Sequence, residues 1–345
     1  MRTRRIGAVV AVVAALAAGG LTTTGGPAVA ASGSTAGTAA DPDTLQAPNG
    51  SFYTFSTSAG SRKVPLRITP TADIGGASAT RDALPYGPGA WADGCAGVWA
   101  PSAVHAGGKW FLYYTAPKKG TAGCAGGNGN GHRCIGRAVA DRPAGPYTGG
   151  REVACPAGGR WAIDPEVLTT PGHGLVMVYR DDAVTTGAET GISVVQLDAN
   201  GFGKWSTRQT LLTSRDITWD TAGDASGTHI VENPSLIRVG GRWKLLWSGN
   251  KWDTRRYATG LADCGESVMS GRCTPTHVGR PWLGFVGAGD IDPVHGLPAN
   301  HKGPGGMSAF RDNAGRARVV WHWYDVDTGA RRAKTGTLSG SMLVS

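Results

Sequence analysis

Ile163-Asp164-Pro165-Glu166-Val167-Leu168, a turn at Gly172, and then Gly174-Leu175-Val176-Met177-Val178-Tyr179 set out a unit that the chain repeats. Each unit opens on a turn ending in proline, runs through a few apolar residues, turns at glycine and continues in an aromatic and β-branched stretch. The openings are Asp41-Pro42, Ala100-Pro101, Asp164-Pro165, Asn233-Pro234 and Gly303-Pro304, at successive proline spacings of 59, 64, 69 and 70 residues. Such a period exceeds that of helical solenoids and suits a unit of about four strands.

The second limbs support this. Phe52-Tyr53-Thr54-Phe55, Trp110-Phe111-Leu112-Tyr113-Tyr114, Trp243-Lys244-Leu245-Leu246-Trp247 and Val319-Val320-Trp321-His322-Trp323 show partial period-two alternation and β-rich composition, with no long amphipathic helix pattern. The fifth unit is the loosest match, its glycine, Gly315, falling late after Pro304. With 55 glycines and 20 prolines punctuating short strands, the expected fold is all-β, a five-bladed β-propeller in which face-to-face blades leave only short edges open.

The N-terminus reads as an export signal over residues 1–30. Arg2, Arg4 and Arg5 precede an apolar run from Ala8 to Leu21, and Ala28-Val29-Ala30 has the small-x-small form of a cleavage site. Residues 31–40 are small and polar and are expected to be a flexible leader, with one propeller domain over 41–345. Together these predict a secreted protein that does not span a membrane. The formal charge of +9 falls to +6 without the three signal arginines. The remaining cations are scattered rather than blocked, which argues against a nucleic-acid partner. Six cysteines, none in Cys-x-x-Cys spacing, point to disulfides rather than zinc. They allow 15 pairings; closure of Gly-rich loops favours Cys264–Cys273 and Cys124–Cys134, leaving Cys95–Cys155.

Singly, Asp41, Asp164 and Glu232 have bland readings as turn and loop acids. Their shared phase in the repeat changes this, because the starts of innermost blade strands ring one end of a propeller channel. Ile291-Asp292-Pro293 falls out of phase and is assigned to a turn, and Asp43 and Asp93 are only secondary candidates. Converging acids suit glycosidic bond hydrolysis, which needs one carboxyl protonated and another ionised. A third acid beside the donor raises its pKa by like-charge repulsion. Trp99 and Trp161, near strand starts, are placed to stack on sugar rings. Arg180 is placed to reach the substrate or an acid.

Ala40-Asp41-Pro42, Trp99-Ala100-Pro101, Ile163-Asp164-Pro165 and Glu232-Asn233-Pro234, in this order and at this spacing, resemble glycoside hydrolase family 43 over the whole mature region. The resemblance implies Asp41 as general base, Glu232 as general acid and Asp164 as the residue that tunes Glu232. It also implies inversion without a covalent intermediate, and an arabinose- or xylose-containing carbohydrate as substrate; the protein is expected to be a monomer. No cofactor is required by this chemistry. A structural calcium in the central channel is the one ion the resemblance raises, yet where many members carry Gly-Pro-Gly-His this chain has Gly303-Pro304-Gly305-Gly306. His322 is the remaining histidine positioned to line the channel or contact sugar. Two alternatives stand beside this reading. One is a non-catalytic or degenerate sugar-binding propeller. The other is a retaining β-fructosidase, disfavoured because Ala40-Asp41-Pro42-Asp43-Thr44 lacks the Asn-Asp-Pro-Asn-Gly motif.

Overall fold

The computed structural model describes residues 29–76, 79–122, 130–187, 189–221, 229–254, 256–284 and 301–338. Residues 1–28 of the export signal, Cys124 and Asp292 lie outside the described residues. Strand β1 (Val29–Thr38) comes first and belongs to the last blade. Blade 1 follows with β2 (Asp43–Gln46), β3 (Phe52–Phe55), β4 (Pro65–Thr69) and β5 (Ala79–Asp82). Blade 2 holds β6 (Trp99–Ala106), β7 (Lys109–Pro117), β8 (Arg133–Ala140) and β9 (Thr148–Ala154). Blade 3 is β10 (Ala162–Thr170), β11 (Gly174–Asp181), β12 (Gly191–Gln196) and β13 (Gln209–Thr213), and blade 4 is β14 (Val231–Val239), β15 (Arg242–Gly249), β16 (Ala258–Asp263) and β17 (Thr274–Pro275). Blade 5 comprises β18 (His301–Arg311), β19 (Ala317–Asp325), β20 (Ala330–Leu338) and, on its outside, β1. All pairings are antiparallel. The five-bladed propeller expected from the repeats is therefore the observed fold. Among the described residues no helix is long and apolar enough to cross a membrane.

One expectation is corrected here. The segment read as a flexible leader forms β1, pairing with β20 from Val29↔Leu338 to Thr38↔Arg332. Its composition carries no strand signal, but pairing to β20 satisfies backbone groups that an open edge would leave bare. This pairing closes the ring.

The apolar second limbs fill wedges between blades. Trp110 packs with Phe55 and Leu66 between blades 1 and 2, Trp243 and Trp247 with Val176 and Val194 between blades 3 and 4, and Trp321 and Trp323 with Leu246 and Leu261 between blades 4 and 5. The wedge between blades 5 and 1 is small: Ala39, Ile74, Val320 and Ala333.

The innermost strands of blades 2 to 5 carry the same β-bulge near their start, and in blade 1 the Thr57 N–H on the Ala40 carbonyl sets the same slip just ahead of β2. In β10, Ile163 pairs with Arg180 and Glu166 with Val178, so three steps on one strand oppose two on the other. The same slip occurs at Trp99/Ser102, Glu232/Ser235 and Gly305/Ser308. A left-handed residue sits in every bulge: Asp41 (φ 47°), Ala100 (40°), Asp164 (53°), Asn233 (47°) and Gly306 (56°). For a non-glycine residue this conformation costs roughly 1–2 kcal/mol, and it persists only where surroundings over-determine it. The phase of the fifth unit is corrected accordingly: its bulge is Gly306-Met307, three residues beyond Gly303-Pro304, and no proline marks it.

Two circumferential hydrogen-bond series hold these bulges. In the upper one, the bulge N–H of one blade donates to a side chain on the second strand of the preceding blade. Ala100 N donates to Thr57 Oγ1 (2.9 Å), Asp164 N to Thr115 Oγ1 (3.1 Å), Gly306 N to Ser248 Oγ (2.7 Å) and Asp41 N to His322 Nδ1 (3.1 Å). In the lower one, residues just past the bulges reach the next blade. Asp43 accepts from Ala103 N (3.1 Å), Ser102 Oγ from Val167 N (3.1 Å), Glu166 from Leu236 N (2.6 Å) and Ser235 Oγ from Ala309 N (2.9 Å). Asp43 thus has a structural place below the mouth, where burial lifts its carboxyl to about 6.

The disulfides correct a second expectation. Cys264–Cys273 forms as expected, but Cys134 bonds Cys155, with Cα atoms 4.7 Å apart. Ile135 and Ala154 are register partners in β8 and β9, so the residues beside them face each other across the strand ends. Sheet register, invisible to spacing arguments, overrode loop closure.

Candidate active site

Asp41 and Asp164 occupy the bulges of blades 1 and 3, whereas Glu232 precedes the bulge residue Asn233 of blade 4 by one. All three border one cavity of about 660 Å³, with Trp99, Trp161, Ile163 and Arg180 on one side and Lys251, Trp252 and Arg331 on the other. The expected trio is brought together, and Trp99, Trp161 and Arg180 stand beside it.

The two aromatic candidates form an edge-on pair with ring centroids 6.0 Å apart. Behind Trp99 lies the Arg133 guanidinium, 3.3 Å from its ring centroid, which fixes the indole plane. Trp252 faces them from the far rim and is 39% exposed. The rim is therefore aromatic on both sides of the acids.

The electrostatics of the acids diverge. Burial alone would raise the Asp41 carboxyl, but Arg331 reverses this, holding it below the usual carboxylate range. Arg331 grips it with both ends, Nη1 to Oδ1 at 2.9 Å and Nη2 to Oδ2 at 3.0 Å. Thr57 Oγ1 adds a bond to Oδ2 at 2.6 Å. Oδ1 is left with a lone pair for a further donor.

Asp164 and Glu232 are pushed the other way. Burial raises Asp164 well above its ordinary value, and repulsion from Glu232 and Asp41 adds to it. Burial also raises Glu232, opposed by Arg180, whose Nη1 lies 2.9 Å from Oε2. Arg180 is itself anchored by Asp182 through Nε at 2.9 Å and Nη2 at 3.2 Å. Asn233 joins the pair to the scaffold, its N–H donating to Asp164 Oδ2 (3.2 Å) and its side-chain amide to the Tyr257 hydroxyl (3.0 Å). The cavity therefore offers one carboxylate whose setting favours the ionised form and a carboxyl pair whose setting favours holding a proton.

His322 is not where the sequence reading put it. Its side chain is fully buried behind Asp41, stacked on Tyr257 at 5.8 Å, and borders neither the sugar-sized cavity nor its rim. As a ligand for a channel calcium it does not fit either. A backbone N–H can only donate, so Nδ1 is the acceptor and the proton of the neutral ring lies on Nε2, leaving no lone pair there for an ion. A Cβ at position 306 would lie 2.5 Å from Cε1 and Nδ1 of His322, so the two side chains compete for one space.

The sequence reading missed Arg331, Thr57 and Trp252. Arg331 stands at the head of β20, and the Ala39 N–H donates to its carbonyl at 2.8 Å. Its register against Tyr324 of β19 and the Ala39 contact bring it to Asp41.

The sequence profile of glycosyl hydrolases family 43 matches residues 35–336. The chain belongs to this family. Among solved structures, the family-43 fold is shared with an α-L-arabinofuranosidase from Lactobacillus brevis (18% identity, 88% of this chain and 91% of that one, TM-score 0.66). A thermostable family-43 glycoside hydrolase (18%, 88% and 89%, TM-score 0.64) and an endo-arabinase from Bacteroides thetaiotaomicron VPI-5482 (17%, 88% and 94%, TM-score 0.62) are similar to a like degree. No curated protein matches by sequence. Membership in family 43 makes the chain a glycosidase with a carbohydrate substrate.

Proposed function

We propose that the protein is a secreted, monomeric, inverting glycoside hydrolase acting on arabinose- or xylose-containing polysaccharide or oligosaccharide. The observation that carries this is the unequal setting of three carboxylates on one cavity: Asp41 held by both ends of Arg331, which favours its ionised form, and Glu232 and Asp164 buried together, which raises both. Glu232 donates its proton to the glycosidic oxygen as the bond to the anomeric carbon breaks. Asp41 takes a proton from water through Oδ1 as that water attacks from the opposite face. Asp164 repels charge on Glu232 and so keeps the donor loaded. No glycosyl–enzyme bond forms. Trp99, Trp161 and Trp252 supply stacking faces for the sugars. The arabinose and xylose preference follows the named activities of the structural neighbours. Export agrees with the basic-apolar N-terminus and with disulfides, which persist outside the reducing cytosol.

Arg331 lowers the Asp41 pKa, so removing its charge raises that pKa. Arg331→Gln is expected to move the acid limb of the kcat/KM profile to higher pH while the basic limb stays in place. An unmoved acid limb would show that Asp41 does not govern it.

The function itself is tested with aryl α-L-arabinofuranosides and β-xylosides, following the first-formed anomer by NMR. Inverted configuration is expected. Retained configuration overturns the mechanism, and sugar binding without hydrolysis of any substrate supports a degenerate binding propeller instead.

A further inference from the structure

We infer that His322 is a positioning residue for the general base, an inter-blade latch that holds Asp41 in its bulge, rather than a channel-ion ligand. The inference rests on the reading of Asp41 as the base, and deepens it.

The periodicity of the fold carries the argument. Thr57, Thr115, Ser248 and His322 occupy one register position, opposite the residue preceding the blade's own bulge: Thr115 to Trp99, Ser248 to Glu232 and His322 to Gly305 on the second strands, and Thr57, just past β3, to Ala40 through its N–H. The first three each accept the bulge N–H of the following blade. His322 does the same across the blade 5 to blade 1 seam, through Nδ1 to Asp41 N. In blade 3 that position is Arg180, which has no acceptor, and there the Asn233 N–H turns to Asp164 instead. Every bulge N–H is thus matched, and the acceptor for the catalytic one is an imidazole.

The left-handed backbone at Asp41 is uphill for a non-glycine residue. Losing the latch lets that backbone relax, carrying the carboxylate away from Arg331 and Thr57. An imidazole also fills more of the seam than a hydroxyl, stacking on Tyr257 and abutting Gly306. Burial, with Arg331 beside it, pushes the imidazole down to about 3, so the ring is neutral; with Nδ1 accepting from Asp41 N, its proton lies on Nε2, which has no hydrogen-bond partner among the described residues. The ionisable groups facing Asp41 are Arg331, His322, Glu232, Asp164 and Tyr257.

Two substitutions separate a latch from a ligand. Asparagine places its carbonyl oxygen near the position of Nδ1, whereas glutamine places one near Nε2. A latch predicts that His322→Asn retains activity to within about fivefold of the parent. His322→Gln is expected to lose kcat by about 10–100-fold with KM little changed, and to shift the acid limb to higher pH. Chelation by EDTA is expected to leave the parent's activity in place. The opposite ranking, or loss of activity on chelation with recovery on adding calcium, overturns the latch. Should both variants misfold, ¹⁵N NMR of the histidine ring in the parent decides: Nε2–H supports it and Nδ1–H overturns it. Asp41→Asn, measured alongside, keeps the two readings distinct. Full activity in that variant defeats Asp41 as base, while the ring tautomer still reports on the latch.

Discussion

Asp41→Asn is expected to lower kcat by about 10²–10⁴-fold, the usual contribution of a positioned proton acceptor, with KM changed by less than about threefold. Asparagine keeps the shape of the side chain, its Thr57 bond and one of the two Arg331 bonds, so the loss reports chemistry rather than unfolding. The acid limb of the pH profile should vanish with it, because the group that must be ionised is gone. Steady-state kinetics over a pH series checks both. A variant with near-parental kcat would mean that another group activates water, and Asp43 below the mouth would be the next to replace.

Glu232→Gln should show a loss that depends on the leaving group. Turnover of an oligosaccharide, whose departing alkoxide needs a proton, is expected to fall by about 10³-fold or more. Turnover of a dinitrophenyl glycoside, whose phenolate leaves unassisted, should fall far less. Glutamine retains an oxygen for the Arg180 contact that lies 2.9 Å from Oε2, which preserves the wall of the cavity. Equal losses on both substrates would remove Glu232 from the role of proton donor. The basic limb of the parent should be absent from the variant, since burial raises the Glu232 pKa and Arg180 only partly opposes it.

The repeat made the ring and its acids legible. Asp-Pro and Glu-x-Pro mark the bulges because a left-handed residue followed by proline fixes the local kink, and the aromatic second limbs mark the inter-blade wedges. The fifth blade was read three residues early because its bulge, Gly306-Met307, achieves the same conformation with glycine and needs no proline. Arg331 had no signal of its own: an arginine on a third strand looks like a surface residue until β1 brings the chain back over it. His322 reads in the sequence as a histidine lining the channel or contacting sugar, but its partner is a backbone N–H from a residue 281 positions away. Cys134–Cys155 likewise depends on the β8–β9 register, which spacing does not reveal.

The way the ring closes makes completeness of the chain a condition for activity. Segments about 300 residues apart must meet before β1 can lie on β20, a long-range event that comes late in assembly. Neither described disulfide crosses that seam, since one ties β8 to the end of β9 in blade 2 and the other lies within blade 4. A protease nick within residues 32–38, or a bulky fusion holding that stretch away, would free Ala39 from the Arg331 carbonyl and loosen the clamp of Arg331 on Asp41. An otherwise intact protein would then fall silent, its catalytic carboxylates all present and none replaced.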